Sequence, residues 1–237
     1  TKGEFTAAVL TEWGDKEVEY PLPPEGEDGT SLKATTGPLA EAAIIWLRHM
    51  GLVDKVSTRE LAKIGYELMV ESAGLSRPLD LMNVGVGVSQ VLPTLVMTLV
   101  APEGSTLILE QPELHLHPGV QSILGDFLLG MADLGKQCLV ETHSEHLVNR
   151  VRRRIAEAPE DSVMKLVRIH FAEKPDLATK IIPVKPNEYG AIPDWPEGFF
   201  DEAADETAMI IEAATRKRNR KLERKREGLR DGGGSPE

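Results

Sequence analysis

Two short segments, 110–118 and 141–146, concentrate the side chains that are able to do chemistry. They hold carboxylate, amide and imidazole groups: Glu110, Gln111, Glu113, His115 and His117 in the first, and Glu141, His143, Glu145 and His146 in the second. Carboxylates bind Mg²⁺ and accept protons, whereas imidazoles exchange protons and bind transition metals. Such groups are costly to bury without a partner. We therefore expect a ligand site here, the alternative being two solvated polar loops.

A third segment, 84–90, reads Val-Gly-Val-Gly-Val-Ser-Gln. We predict that Ser89 is the N-cap of a helix that continues to about residue 100. Pro93 is tolerated in the first turn of such a helix because the first amides have no intrahelical acceptor. Backbone amides and a hydroxyl at a helix N-terminus suit a bound anion.

Alternating strands and helices must position these segments. The runs 106–109 and 137–140 are short and apolar, typical of strands buried on both faces, and predicted helices follow them at 119–134 and 144–156. Strand, helix, strand, helix at this spacing predicts a parallel sheet in an α/β domain. Ligands of such sheets bind at the carboxyl ends of the strands, where both polar segments lie.

The rest of the chain gives weaker patterns. Residues 1–36 are predicted to be rich in loops, 38–50 an amphipathic helix, 57–60 a capping box that opens a helix, 66–71 a strand or a helix, 163–171 and 179–184 strands, and 201 onward a helix. We divide the chain at 1–78, 79–200 and 201–237. The first part is a loop-rich segment with a helical lobe, the second the α/β part, and the third a helix with a basic tail.

Composition limits the class of protein. The chain has 237 residues, 41% apolar content, a net charge of −11 and one cysteine, Cys138. A chain of this length can bury a core without disulfides, and a lone cysteine fits a reducing compartment. The apolar run 91–101 is too short to span a bilayer, and the first residues do not read as a signal peptide. We therefore expect a soluble, cytoplasmic protein with no membrane partner.

Residues 130–137 match the phosphate-loop pattern G-x-x-x-x-G-K, but in the wrong context. A phosphate loop follows a strand and opens a helix, whereas this segment closes a helix and precedes a strand. Gln137 also stands where Ser or Thr would hold Mg²⁺. We predict a helix-to-strand connection, and no other part of the sequence matches the pattern.

Segments 84–90, 107–118 and 139–144, in this order, resemble the C-terminal half of an ABC-type ATPase head. The branch they are most similar to contains prokaryotic AAA-type ATPases related to the SMC-like and overcoming-lysogenisation-defect proteins. The resemblance covers residues 80–156, and 194–201 resembles an element found in part of that branch. It implies a P-loop NTPase fold with a parallel sheet core and a helical lobe. It also implies a homodimer or higher oligomer that closes around ATP and Mg²⁺ and drives an effector; relatives serve phage defence or DNA processing beside a nuclease.

The resemblance assigns the glycine-rich segment to the signature motif. Gly85, Gly87, Ser89 and Gln90 fall on this motif, which in the family reaches across a dimer to the γ-phosphate of the partner's ATP. These four residues are accordingly predicted to bind the nucleotide.

The resemblance also assigns the polar strand ends. Glu110 falls on the Walker B position that holds Mg²⁺ through water. His115 and His117 fall on the loop that lines the dimer interface. His143 falls on the switch histidine, which contacts the γ-phosphate.

Two features depart from the family pattern. Gln111 stands where the general base is expected, and an amide cannot accept a proton as a carboxylate does. Either Gln111 orients the water, or Glu113 is the base, or hydrolysis is slow; a Glu-to-Gln change made to trap ATP would give the same sequence. The Walker A lysine loop is also missing from these residues. We therefore interpret the chain as a head fragment that lacks the Walker A half.

Two other functions remain open from the sequence. His115, His117 and His143 could hold zinc or manganese in a metal-dependent hydrolase. Alternatively, the chain keeps the ATPase fold as an interaction module with little activity.

The charge is unevenly distributed. Between Arg216 and Arg230 nine basic and two acidic residues give +7, which leaves −18 on the remainder. The tail is either a phosphate-backbone contact for nucleic acid or a solvated helix end. A second basic cluster, Arg150, Arg152, Arg153 and Arg154, is a further candidate contact.

Overall fold

The computed structural model describes residues 5–24, 33–61, 65–71, 78–80, 85–159, 162–175, 177–200 and 206–219. The helices are α1 (Thr6–Trp13), α2 (Leu39–His49), α3 (Val86–Val100), α4 (Pro118–Asp133), α5 (Glu145–Glu157), α6 (Ser162–Leu166) and α7 (206–219). The strands are β1 (Glu17–Pro21), β2 (Ala34–Pro38), β3 (Lys55–Leu61), β4 (Gly65–Glu71), β5 (Leu79–Asp80), β6 (Thr106–Glu110), β7 (Gln137–Glu141), β8 (Ile169–Glu173) and β9 (Lys180–Val184).

Within the described part of the chain, the strands form four small sheets. β1 pairs with β2, and β3 pairs with β4, in antiparallel register; β4 also pairs antiparallel with β5. β6 and β7 are parallel neighbours, and β8 and β9 form the fourth sheet. The predicted fold class, α/β with a parallel sheet and helices between its strands, is thus confirmed.

The chain divides into two compact units. The first comprises Thr1–Ile169 with Lys185–Pro193, and the second His170–Val184 with Asp194–Glu237. The aromatic side chains of the second unit meet around Phe199, whose ring centroid lies 5.5 Å from that of Phe171 and 5.3 Å from that of Trp195.

The core of the first unit lies between α2, α3 and α4. Trp46 of α2 is fully buried, and its indole Nε1 donates to the carbonyl oxygen of Pro21 at 2.8 Å. Its ring meets that of Phe127 on α4 edge-on, with centroids 5.1 Å apart. Leu92 and Leu95 of α3 are likewise fully buried. Burial of these side chains stabilises each helix more than its intrinsic propensity does.

A buried charge network joins α4 to α5. Asp126 of α4 is 3% exposed and pairs with Arg154 of α5, whose Nε lies 2.7 Å from Oδ1. Arg150 pairs with the other carboxylate oxygen, and Arg154 also contacts Glu157 at 2.7 Å. Because every charge in the network has an opposite partner, the ions tolerate burial that would be prohibitive singly.

The segment that mimics a phosphate loop is a helix-to-strand connection, as predicted. Gly135, with φ of +75°, follows the end of α4, and β7 begins at Gln137. The Lys136 ammonium is buried and donates to the carbonyl oxygens of Thr98 at 2.9 Å and Leu99 at 3.1 Å. Burial lowers its pKa. Lys136 therefore caps the last turn of α3 and is no phosphate ligand.

Three element predictions are wrong. Residues 1–36 hold α1, β1 and the start of β2; α1 buries only Thr6 and Leu10, too few to give a clear helical period. Residues 57–60 lie in β3, because pairing with β4 along the whole strand outweighs a capping pattern in these residues. The strand expected at 163–171 is the short helix α6 followed by β8.

The parallel pair is open on one face. Leu107 and Leu109 are buried, but Ile108 is 69% exposed and its register partner Leu139 is 61% exposed. The expectation of strands buried on both faces is therefore wrong for the described residues. Among these residues, the helices are too short or too polar to cross a membrane.

Candidate functional site

The carboxyl ends of β6 and β7 bring the two polar segments to one edge of the sheet. Glu110 and Glu141 are register partners and close their strands side by side. One residue beyond the end of β6, the backbone amide of Gln111 donates to the backbone carbonyl oxygen of Glu141 at 2.9 Å. The predicted convergence of the two segments is therefore present, and it follows from the parallel register alone.

Glu113 ties the two segments together. It is 5% exposed, and its Oε1 accepts from the Thr142 hydroxyl at 2.6 Å and from the His143 backbone amide at 2.9 Å. Its Oε2 is buried with no hydrogen-bond partner among the described residues. The carboxylate thus fixes the backbone that carries His143 and lies away from solvent.

Glu141 contacts two of the predicted site residues at once. Its Oε1 lies 3.2 Å from His143 Nε2, and it accepts from Gln111 Nε2 at 3.5 Å. The side chains of Glu141 and His143 are 52% and 78% exposed. Gln111 has φ of +44°, a conformation uncommon for a residue with a side chain. The resemblance assigns no role at a nucleotide to Glu141; the signal that identifies this residue is its register partnership with Glu110.

The loop between β6 and α4 carries the two interface histidines. His115 is exposed with φ of +64°. His117 is the N-cap of α4, and its Nδ1 accepts from the Gly119 amide at 3.2 Å. Leu116 between them is buried and anchors the loop.

Gln121 of α4 connects this loop to the start of α5. Its Nε2 donates to the Leu116 carbonyl oxygen at 2.8 Å, and its Oε1 accepts from the Ser144 hydroxyl at 2.6 Å. Ser144 in turn caps α5 by accepting from the Leu147 amide at 3.0 Å. The N-termini of α4 and α5, the helices that follow β6 and β7, are therefore fixed relative to each other by hydrogen bonds.

The glycine-rich segment starts α3, but not where the sequence predicts. The N-cap is Gly85 and the helix begins at Val86, so Ser89 lies in the first turn and its hydroxyl donates to the Val86 carbonyl oxygen at 2.8 Å. The prediction of Ser89 as N-cap is wrong because the helix already includes Val86 and Val88, which precede the serine. Pro93 accordingly lies inside the helix.

Gly87 packs against the histidine loop. A Cβ at this position would lie 3.3 Å from Leu116 Cδ2 and 3.5 Å from the His115 carbonyl oxygen. A Cβ at Gly85 would meet nothing within 4 Å. The first turn of α3 and the loop after β6 therefore form one continuous surface.

The residues fit Mg²⁺ better than a transition metal. Among the described residues, His, Cys, Asp and Glu side chains form no group of three or more that could hold a metal ion. His117 Nδ1 already accepts a hydrogen bond from the Gly119 amide, and His143 Nε2 is in contact with the Glu141 carboxylate. Glu110 offers an exposed carboxylate at a strand end, which suits an ion that keeps most of its waters and binds phosphates.

The second basic cluster is already paired. Arg150 and Arg154 bind Asp126, and Arg153 binds Glu157. Arg152 donates to the Gly190 carbonyl oxygen at 2.8 Å and to Asn149. Arg150 and Arg154 therefore hold α5 to α4, whereas Arg153 pairs within α5 and its side chain is 51% exposed. A contact of this cluster with nucleic acid stays a prediction.

The basic tail is described only at its beginning. Residues 216–219 are exposed in α7, and Arg216 lies 3.6 Å from Glu212 one turn earlier. The remainder of the predicted nucleic-acid contact, 220–230, lies outside the described residues.

Comparison with known proteins agrees with an α/β ATPase domain. Residues 44–149 match the family "AAA domain, putative AbiEii toxin, Type IV TA system". This stretch contains the end of α2, all of α3 and α4, both polar strand ends and the start of α5, and it is similar to an AAA-type ATPase domain. Residues 165–210 match a family described as a protein of unknown function (DUF3696).

The other comparisons are more distant. A solved structure described as "Structural biochemistry of ATP-driven dimerization and DNA stimulated activation of SMC ATPases" is 15% identical, covers 62% of this chain and 85% of its own, and has a TM-score of 0.43. No curated protein matches the chain.

Proposed function

We propose that the chain is part of an ATP-binding and ATP-hydrolysing head that dimerises around ATP and Mg²⁺. The observation that carries the proposal is the parallel register of β6 and β7, which places Glu110, Gln111 and His143 at one sheet edge. The match of residues 44–149 to an AAA domain supports the same class.

The strand-end residues then have distinct tasks. Glu110 holds Mg²⁺ through its waters, and that ion neutralises phosphate charge when bound. His143, exposed at the end of β7, contacts the γ-phosphate. Glu113, with one oxygen on the His143 backbone amide, positions this histidine. Gln111 orients the attacking water, since its amide cannot take the proton.

The first turn of α3 acts on the nucleotide of the other protomer. The backbone amides of Gly85 and Gly87 lie at the N-terminus of this helix, where the helix dipole favours an anion, and Ser89 and Gln90 contribute their side chains from the turn that follows. His117 and His115 line the interface beside this turn, consistent with the contact of Gly87 with the loop.

A complete site also needs a lysine loop, which we propose comes from a further segment of the same protein or from a separate chain. The open face of the parallel pair supports this part of the proposal. Parallel sheets are usually covered on both faces, and Ile108 and Leu139 are left exposed as an apolar register pair.

The finer biology is proposed from the resemblance and from charge. The head drives conformational change in an associated effector, such as a nuclease, in phage defence or DNA processing in the cytoplasm. The basic tail beyond Arg216 provides a nonspecific contact with nucleic acid.

ATP-dependent self-association tests the proposal. The sample is the protein that contains this chain together with the lysine-loop half, and its mass is measured by light scattering with and without ATP and Mg²⁺. We expect ATP with Mg²⁺ to produce a dimer, and Glu110→Ala to weaken this response without unfolding the protein. A mass that does not respond to ATP, or a response that does not need Mg²⁺, contradicts the proposal.

A second candidate, an interaction module with little turnover, is favoured by one observation. Gln111 removes the carboxylate from the usual position of the base. This candidate predicts ATP-dependent dimerisation without measurable hydrolysis.

A further inference from the structure

We propose that Glu141 is the general base of the site and replaces the carboxylate that Gln111 lacks. The inference rests on the proposed function, because it assigns a residue to the hydrolysis step. The geometry that carries it is the shared contact of Glu141 Oε1 with Gln111 Nε2 and His143 Nε2.

The register of the sheet places the Glu141 carboxylate beside Gln111, which occupies the usual position of the base. A base must lie within hydrogen-bond reach of the attacking water, directly or through one water molecule. Glu141 ends the strand beside the one that ends at Glu110, and its side chain is in contact with the amide that occupies the base position. A water bound at the base position beside Gln111 would therefore lie next to the Glu141 carboxylate.

The other carboxylates nearby are less suited to this task. Glu113 is 5% exposed, and its Oε1 already accepts two hydrogen bonds that hold Thr142 and His143. Glu110 is the carboxylate assigned to Mg²⁺. Glu141 is half exposed, and within the described part of the chain its Oε2 has no hydrogen-bond partner.

The chemical step balances with these groups. The oxygen of the water forms a bond to the γ-phosphorus, and the bond from this phosphorus to the bridging β,γ-oxygen breaks with its electron pair, leaving ADP. Glu141 accepts a proton of the water and later releases it to solvent. Gln111 and His143 hold the other oxygen of the carboxylate, so that Oε2 faces the water.

Substitutions at Glu141 and Gln111 test whether Glu141 is the base. The sample is the protein that contains this chain together with its lysine loop. We expect Glu141→Gln to leave the ATP dissociation constant and ATP-dependent dimerisation within about threefold, while kcat falls by about 100-fold or more. Adding Gln111→Glu to this variant returns a carboxylate to the usual place, and we expect it to recover at least about tenfold of the lost kcat.

Glu71→Gln is the matched control. Glu71 is also a partly exposed glutamate with one cationic neighbour, Lys55 at 3.3 Å, and it lies at the end of β4. We expect this change to leave kcat unaltered.

Three outcomes overturn the assignment. If Glu141→Gln keeps kcat within about threefold, Glu141 is not the base. If it loses ATP binding and dimerisation together with kcat, and Gln111→Glu recovers nothing, its role is structural. If the wild-type protein binds no ATP, the proposed function itself fails and the assignment falls with it, which the binding measurement distinguishes from the first two results.

Discussion

Two hydrogen bonds accepted by a single buried carboxylate hold the site in shape. Glu113 lies in the segment after β6, and its bonds to Thr142 and His143 reach the segment after β7. Neither bond involves a regular strand pairing, so this side chain adds to the links that Gln111 and Gln121 make between the two segments beyond the sheet.

Removal of the Glu113 carboxylate should therefore destabilise the protein. We expect Glu113→Ala to lower the free energy of unfolding by about 2–4 kcal/mol, because it leaves the partly buried Thr142 hydroxyl and the His143 backbone amide without their acceptor. Urea denaturation followed by circular dichroism measures this. Glu71→Ala, which removes an exposed ion pair, should cost about 0–1 kcal/mol. Equal effects of the two changes contradict the role given to Glu113.

Residue types in the sequence predicted that segments 110–118 and 141–146 lie together, but they did not predict which side-chain atoms are in contact. That Glu110 and His143 lie at one edge follows from the strand pattern and the parallel rule. The contact of Glu141 with Gln111 depends on register, which no local pattern encodes. The first residue of α3 was missed for a related reason, since burial of Val88 in the core accompanies a helix that begins three residues before Ser89.

At the level of elements, the contact between α4 and α5 depends on Asp126. We expect Asp126→Ala to cost about 3–5 kcal/mol, because it leaves the Arg154 and Arg150 guanidinium groups without their buried counter-ion. Chemical denaturation gives the value. Asp133→Ala, an exposed position at the end of the same helix, is the control and should cost little. A small loss at Asp126 would show that the network does not stabilise the helix pair.

The contact between α3 and the histidine loop depends on the absence of a side chain at Gly87. We expect Gly87→Val to destabilise the fold by about 1–3 kcal/mol, because the added methyl groups press on Leu116 and on the loop backbone. Thermal unfolding of the purified variant measures the loss. Gly85→Ala points into open space and serves as the comparison. If Gly87→Val is as stable as Gly85→Ala, the loop yields freely and the two elements are not coupled.

Helices with a strong apolar period were predicted close to their observed bounds. α2 and α5 each bury one regular stripe, which is what sequence periodicity detects, whereas α4 is buried on all sides over residues 124–131. β3 was missed because it is defined by pairing with the strand that follows it, β4, whereas the residues 57–60 taken alone match a capping pattern. The open face of β6 and β7 was missed because apolar side chains were assumed to be covered.

At the level of the whole molecule, the separation of an acidic body from a basic tail predicts a salt-sensitive interaction. We expect removal of 216–230 to weaken binding of a DNA duplex about tenfold or more at low salt, and to flatten the dependence of the binding constant on salt. Fluorescence anisotropy over a range of salt concentrations measures both. Removal of 231–237, which carries no basic residue, is the control. Unchanged DNA binding after removal of 216–230 would show that the tail is a solvated helix end and does not contact nucleic acid.

The central claim is that the first turn of α3 and the ends of β6 and β7 serve one ATP site built from two protomers. Mixing two inactive variants tests it most directly: Ser89→Arg blocks the turn, and His143→Ala removes the switch histidine. Each variant alone should be inactive, whereas an equal mixture that re-assorts into dimers should recover about a quarter of the wild-type ATP hydrolysis, because each mixed dimer contains one intact site. A mixture as inactive as its components would contradict a site shared between protomers.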